Sequence, residues 1–273
     1  MQAVAVIGLD TEKEKLMSEL SDFGAIQLQE QSHKLEDEEW RVLTNLDGNQ
    51  ECAAKLEQKL ARAGQALDII EKYDKSKSPL FSTRRRMDFA GFKALRKDNS
   101  QVEAVIEEFL EKGNKIHSLT EKVNKLEIDM LSLLPWVEYD LPMALTETRD
   151  CNIHKGVLPA DCDTENLSKL LEEEVGQVVF KVVRKEKEMQ YVALMCPKDL
   201  DNQVMEILRE EGFAESVFKE LNEVPTAAMN RMQAELEEAH EGIKAIADEI
   251  AKDAKLKEKI EEYYDVIFLE AEK

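Results

Sequence analysis

The side chains that could do chemistry in this chain are few and scattered. Four cysteines, Cys52, Cys151, Cys162 and Cys196, include no C-x-x-C pair, so they read as reduced cytoplasmic thiols rather than as a disulfide frame. Cys151, His154 and Cys162 come nearest to metal-ligand spacing, but a structural zinc site takes four ligands and no fourth lies nearby. His33, His117, His154 and His240 have no acid, nucleophile or ligand at working spacing, which reads them as structural or solvated, with His117 and His240 on helix surfaces. Phosphate loops, nucleophile elbows, zinc-protease and calcium-loop motifs are all missing. The sequence thus points to no catalytic residue, no cofactor and no metal, hence to a chain that is not an enzyme.

Charge offers two further candidates. Glu172, Glu173 and Glu174 form an acidic run that either meets a basic partner or simply solvates one helix face. Arg84, Arg85 and Arg86 stand out more, because the formal net charge is -21. The triplet is the candidate binding loop, for anionic lipid or an acidic subunit, the alternative being an exposed loop with no partner. The overall balance excludes nucleic acid, whose backbone is held by clustered Lys and Arg.

The elements that must carry these residues are long helices and short α/β pieces. Charged residues make up 35% and aromatics 6%, which disfavours one thick core. From Val224 to Lys273, Met229, Met232, Leu236, Ala239, Ile243, Ile246, Ile250, Ile260, Tyr264 and Ile267 recur at steps of three and four. That spacing predicts one apolar stripe on a helix ~75 Å long, which needs an equally long partner. Partners are at hand. Leu56, Leu60, Ala63, Leu67 and Ile70 mark a helix ending near Tyr73, and Val102, Phe109, Ile116, Val123 and Met130, with Val105, Leu119, Leu126 and Leu133, mark a regular heptad helix from Ser100. Pro135 should stop that helix by excluding Leu134 from helical geometry.

The stripe carries a flaw. Asp253 and Lys257 fall on the heptad positions after Ile250, and Ala254 offers a stutter that would unwind the coil and loosen pairing beyond Ile250.

Between the helices, residues 137–223 read as β-α-β-β-α-β: a strand Cys151–Leu158, a helix capped by Asp163, strands 177–183 and 188–196 joined by a polar turn, a helix opened by Asp199 and closed by Gly212, and a strand Ala214–Leu221. This is the order of a ferredoxin-like lobe. Residues 1–47 repeat half of it: a strand over 3–9, a helix closed at Gly24 and a strand over 25–30, followed by a short helix over 33–46. A two-stranded sheet is too small to stand alone, so its missing strands are expected after Lys273. The reading is α+β: an incomplete βαβ proximal half-lobe over 1–47, outgoing coiled-coil helices over 48–136 with a loop at 75–99, a distal ferredoxin-like lobe over 137–223, and a returning helix over 224–273. Whether the outgoing helices run in series or fold back is left open. Laid end to end they would span ~90 Å, roughly the length of the return.

Several short motifs carry a resemblance. Val6-Ile7-Gly8-Leu9-Asp10, Pro79-Leu80-Phe81, Leu133-Leu134-Pro135-Trp136 with Asp140-Leu141-Pro142, and Gly156-Val157-Leu158-Pro159 occur in an order that resembles the N-terminal cytoplasmic half of the membrane stator subunit of V-type (A-type) rotary ATPases, called subunit I or subunit a. The resemblance implies a structural arm on the cytoplasmic face of the membrane. It would link peripheral stalks, heterodimers of E and G type, to the membrane sector and resist rotor torque. The proton pathway belongs to a membrane half absent from this sequence. A generic coiled-coil adaptor or chaperone with globular tips is the alternative, and a ligand-sensing ferredoxin-like enzyme subunit comes third.

Overall fold

A computed structural model describes residues 4, 6, 10–23, 50–75, 91, 92, 94, 95, 98–218 and 221–271. The chain divides into two compact units, Met1–Ala53 and Ala54–Lys273. In the first, a 3-10 turn Asp10–Glu12 leads into α1 (Lys13–Phe23). The strands expected over 3–9 and 25–30 and the helix over 33–46 lie outside the described residues, save for the exposed Val4 and Val6.

α2 (Gln50–Tyr73), in the second unit from Ala54 onward, and α3 (Ser100–Leu133) form where the apolar spacing places them. The N-cap of α3, Asn99, makes no side-chain cap bond; one residue earlier, the Asp98 carboxylate accepts from the Ser100 amide at 3.1 Å and the Ser100 hydroxyl at 2.7 Å. At its other end α3 does not stop sharply at the proline. Leu134 keeps helical angles (φ −52°, ψ −40°) and the chain tightens into a 3-10 turn, Leu134–Trp136. The turn gives Pro135 a place where its missing N–H costs nothing, and this overrides the steric preference of the residue before it.

The return begins at Val224, extended (φ −67°, ψ 146°) ahead of Pro225, which occupies the first turn of α6 (Pro225–Asp253). Its partners on α3 run in opposite order: Lys122 with Glu235 at 3.5 Å, Lys112 with Asp253 at 3.1 Å. The pair is antiparallel. For α2 the numbers rise together, with Lys59 against Glu103 at 2.8 Å, Arg62 against Glu107, and Ile69 against Gly113. The outgoing helices therefore lie side by side and parallel, and the end-to-end length comparison does not apply.

After Asp253 the helix breaks into a 3-10 turn, Ala254–Leu256, before α7 (Lys257–Ala271). The break falls where the stutter is expected but has the opposite hand, since a 3-10 turn winds more tightly than an α-helix. Ile260 and Ile267 of the expected stripe are buried, Tyr263, at 1% exposed, joins them, and Tyr264 packs half-buried against the same core. α7 touches α3 less than α6 does. Its stripe is nonetheless fully covered: Ile260, Tyr263 and Ile267 share one core with Ala63, Ala66, Ile70, Ile106 and Phe109, because α2 supplies the third wall.

The inserted segment builds β1 (Cys151–Pro159), α4 (Thr164–Glu174), β2 (Val179–Lys185), β3 (Met189–Pro197), α5 (Asp201–Glu210) and β4 (Ala214–Glu215). The sheet order is β2-β3-β1-β4 with every neighbouring pair antiparallel, and the chain is α+β. Asp163 caps α4, accepting from the amides of Glu165 and Asn166 at 3.2 and 3.1 Å. α5 opens at Asp201 rather than Asp199 and has no side-chain cap. Gly212, at φ 78°, takes the left-handed turn that closes it. The last strand is two residues long rather than eight. Beyond it one more bond reaches β1, Ser216 N donating to Lys155 O at 2.7 Å, and the chain then pairs elsewhere, Ala144 N donating to Leu221 O at 2.7 Å.

Candidate functional site

The joint between lobe and helices is built around Trp136. Alternation along β3 turns Val192, Leu194 and Cys196 toward α4 and α5, where they pack with Leu158, Leu167, Leu171, Val204 and Leu208. The opposite face, with Ala193 and Tyr191, covers the end of the helix pair. There Trp136, 1% exposed, makes edge-on contacts with Tyr139, Tyr191 and Phe218 at centroid distances of 6.2, 5.6 and 5.9 Å. Leu133 of α3 and Ala228 of α6 belong to the same core as Met143 and Val183. Val183 is the extra residue of a bulge between Val182 and Arg184, which delivers it to this face. The incoming and outgoing chains are also tied by a hydrogen bond from Met143 N to Glu223 O at 3.2 Å. A sheet face and two helix ends thus share one buried cluster.

Below the joint, charged side chains stitch the helices. Lys112, its side chain 12% exposed, lies 2.7 Å from Glu108, 3.1 Å from Asp253 and 3.9 Å from Glu249. Burial alone would lower its pKa, but these carboxylates outweigh it and hold the ammonium above its ordinary value. Asp253 is the last residue of α6, where a negative charge opposes the helix dipole, and Lys112 offsets it. Lower down, Glu103 accepts from Lys59 and from the Tyr263 hydroxyl. Desolvation pushes the Glu103 carboxyl up, yet these partners win and leave it below its usual range. With Arg62, Glu107 and Tyr263 these residues line a groove of about 430 Å³.

At the corner of the lobe, His154 of β1 bridges two acids. Its Nε2 lies 2.7 Å from Asp201 Oδ1 and its Nδ1 2.9 Å from Glu215 Oε1. Burial works against the charged imidazole, but Asp201 and Glu215 together raise its pKa. Cys196 donates to the same Asp201 oxygen at 3.4 Å, and desolvation followed by that contact pushes its thiol up to about 12. Cys162 is raised as well, by burial and then by Glu211. Such thiols stay protonated at neutral pH, the reverse of an activated nucleophile.

The residues singled out in the sequence fare unevenly. Arg84, Arg85 and Arg86 lie outside the described residues. His154 and Cys162 point to different partners and do not combine. His117 and His240 are exposed on helices, His117 3.3 Å from Glu121. Asp201, Glu215 and Cys196, which do surround His154, were missed because 42 to 61 positions separate them from it and only the sheet pairing brings them together. On the lobe surface, Tyr139, Leu141, Ile153, Val179 and Lys181 line a shallow groove of about 260 Å³. Among the described residues no helix is long and apolar enough to cross a membrane.

No protein-family profile and no curated protein matches this chain. Solved structures do. One is the crystal structure of the cytoplasmic N-terminal domain of subunit I, homolog of subunit a, of V-ATPase. It is 16% identical, the match covers 97% of this chain and 83% of that one, and the TM-score is 0.54. At this identity the likeness is one of fold.

Proposed function

We propose that this chain is a non-catalytic stator arm of a rotary V/A-type ATPase, working on the cytoplasmic face of the membrane. It holds peripheral stalks and passes the reaction torque of the catalytic head toward the membrane sector. The lobe around the sheet seats one end of a stalk heterodimer of E and G type, the N-terminal unit seats another, and the coiled-coil helices act as a collar.

The observation that carries this reading is the joint at Trp136. A lobe on a flexible tether could not transmit torque, whereas one whose sheet shares a core with Leu133 and Ala228 moves with the helices. The shared fold with the subunit I domain supports the assignment to this machine. In this reading Arg84, Arg85 and Arg86 bind an anionic partner, either lipid or an acidic subunit.

Pull-down of a purified E/G-type heterodimer by the immobilised chain tests the assignment. Retention at physiological salt is expected. Failure to retain it, with the sheet intact by circular dichroism, would remove the stator reading and favour a generic coiled-coil adaptor.

A further inference from the structure

Four chemistry-bearing side chains from four elements of the lobe, β1, the end of β3, the start of α5 and β4, meet at one corner. They are His154, Cys196, Asp201 and Glu215. His154 Nε2, Cys196 Sγ and an Asp201 carboxylate oxygen all lie within 4.8 Å of one another. Cys196 is fully buried, while the side chains of His154, Asp201 and Glu215 are 14%, 24% and 47% exposed, which leaves the corner open on the acid side.

The set has the form of a metal site in two respects. First, the imidazole nitrogens face different acids, and ligating histidines characteristically donate their other N–H to a carboxylate that fixes the ring. Glu215, 2.9 Å from Nδ1, occupies that position. Second, the spacing is nearly right. Zinc bonds of about 2.0 Å to N and O and about 2.3 Å to S place tetrahedral ligands roughly 3.3 Å (N to O) and 3.5 Å (S to O) apart. The sulfur-to-oxygen distance is 3.4 Å already, and the nitrogen-to-oxygen contact of 2.7 Å has to open by only about 0.6 Å. An N, S, O donor set suits zinc, and it disfavours magnesium and calcium, which take oxygen ligands.

We propose that His154 Nε2, Cys196 Sγ and Asp201 Oδ1 bind a zinc ion, with Glu215 orienting the imidazole and water completing the tetrahedron. On binding, the Sγ–H bond and any Nε2–H bond break and their protons leave to solvent. Lone pairs of Nε2, Sγ and Oδ1 then form the three protein-to-metal bonds. No redox change is involved. The ion clips α5 to one end of the β1–β3 pair, where His154 stands opposite Leu194 and Cys196 opposite Asn152, and, through Glu215, holds the two-residue β4 on its edge.

Cobalt is the probe, because a thiolate ligand gives it a sulfur-to-metal charge-transfer band that other donors do not. The full chain, stripped by chelator and titrated with Co²⁺, should bind one equivalent with that band and the strong visible bands of tetrahedral cobalt. Zn²⁺ should then bleach both and raise Tm. Cys196→Ser should abolish the band, and His154→Gln should weaken binding at least tenfold. Glu215→Gln should keep the band but weaken affinity ~10–100-fold. A variant with Cys52, Cys151 and Cys162 all changed to Ser should behave as wild type. Because Cys196 is buried, His154→Gln at the open side guards against a loss caused by misfolding. A folded wild-type chain without the band, or a band that survives Cys196→Ser, would overturn the proposal.

Discussion

Tyr263 donates its hydroxyl hydrogen to Glu103 at 2.9 Å across 160 positions of sequence. The bond ties α7 to α3, and through Lys59, 2.8 Å from the same carboxylate, to α2. Three helices meet at one acid. Tyr263→Phe keeps the packing and deletes one hydrogen bond to a charged group, so it should cost about 1–2 kcal/mol. Tyr263→Ala also opens a cavity in the core and should cost about 3–5 kcal/mol. Thermal unfolding of both variants checks the order, and a Tyr263→Phe variant as stable as wild type would mean that the hydroxyl contributes nothing.

Glu103 also sets a pH dependence. Its folded pKa lies below the ordinary 4.5, so its contribution is complete above that value and is lost as pH falls through the lower folded one. Wild type should exceed Glu103→Gln in Tm at neutral pH, and the gap should close in acid. A gap constant down to pH 3 or so would refute the linkage.

Gly156 carries a different constraint. A Cβ there would come within 2.3 Å of Ala214 O and 2.4 Å of the Phe213 ring, where backbone and packed aromatic cannot both yield. Gly156→Ala should push β4 off β1 and cost about 1–3 kcal/mol as overpacking. Amide exchange should speed at Ser216, whose N–H donates to Lys155 O at 2.7 Å, while α2 and α3 stay protected. Unchanged exchange at Ser216 would contradict it.

How far the sequence could be read follows from the range of the interactions. Periodicity placed α2, α3 and α6, and local chemistry placed the Asp163 cap and the Gly212 turn, since each signal sits within one or two turns of chain. The parallel packing of α2 on α3 depends on meetings such as Ile69 with Gly113, which no local pattern encodes. The loss of most of β4 depends on Leu221 finding Ala144. In the same way His154 looks alone in sequence, because Asp201 and Glu215 arrive through sheet pairing. The 3-10 turn Ala254–Leu256 was readable in position as a heptad flaw, but its tighter winding was not, nor was the burial of Tyr263 beside Ile260 and Ile267.

The joint itself can be probed at Trp136. Trp136→Ala removes the ring shared by Tyr139, Tyr191 and Phe218 and should cost about 3–5 kcal/mol. Spin labels at exposed Ser132 and Glu186 should report one narrow distance distribution in wild type and a broad one in the variant. A broad distribution in wild type would mean that lobe and helices move independently.

The most direct measurement is calorimetric titration of the full chain with an E/G-type stalk heterodimer. The stator account predicts saturable binding of two heterodimers per chain, with one of the two sites lost in Trp136→Ala. Absence of binding to a folded chain, or binding of both heterodimers untouched by that substitution, would contradict it.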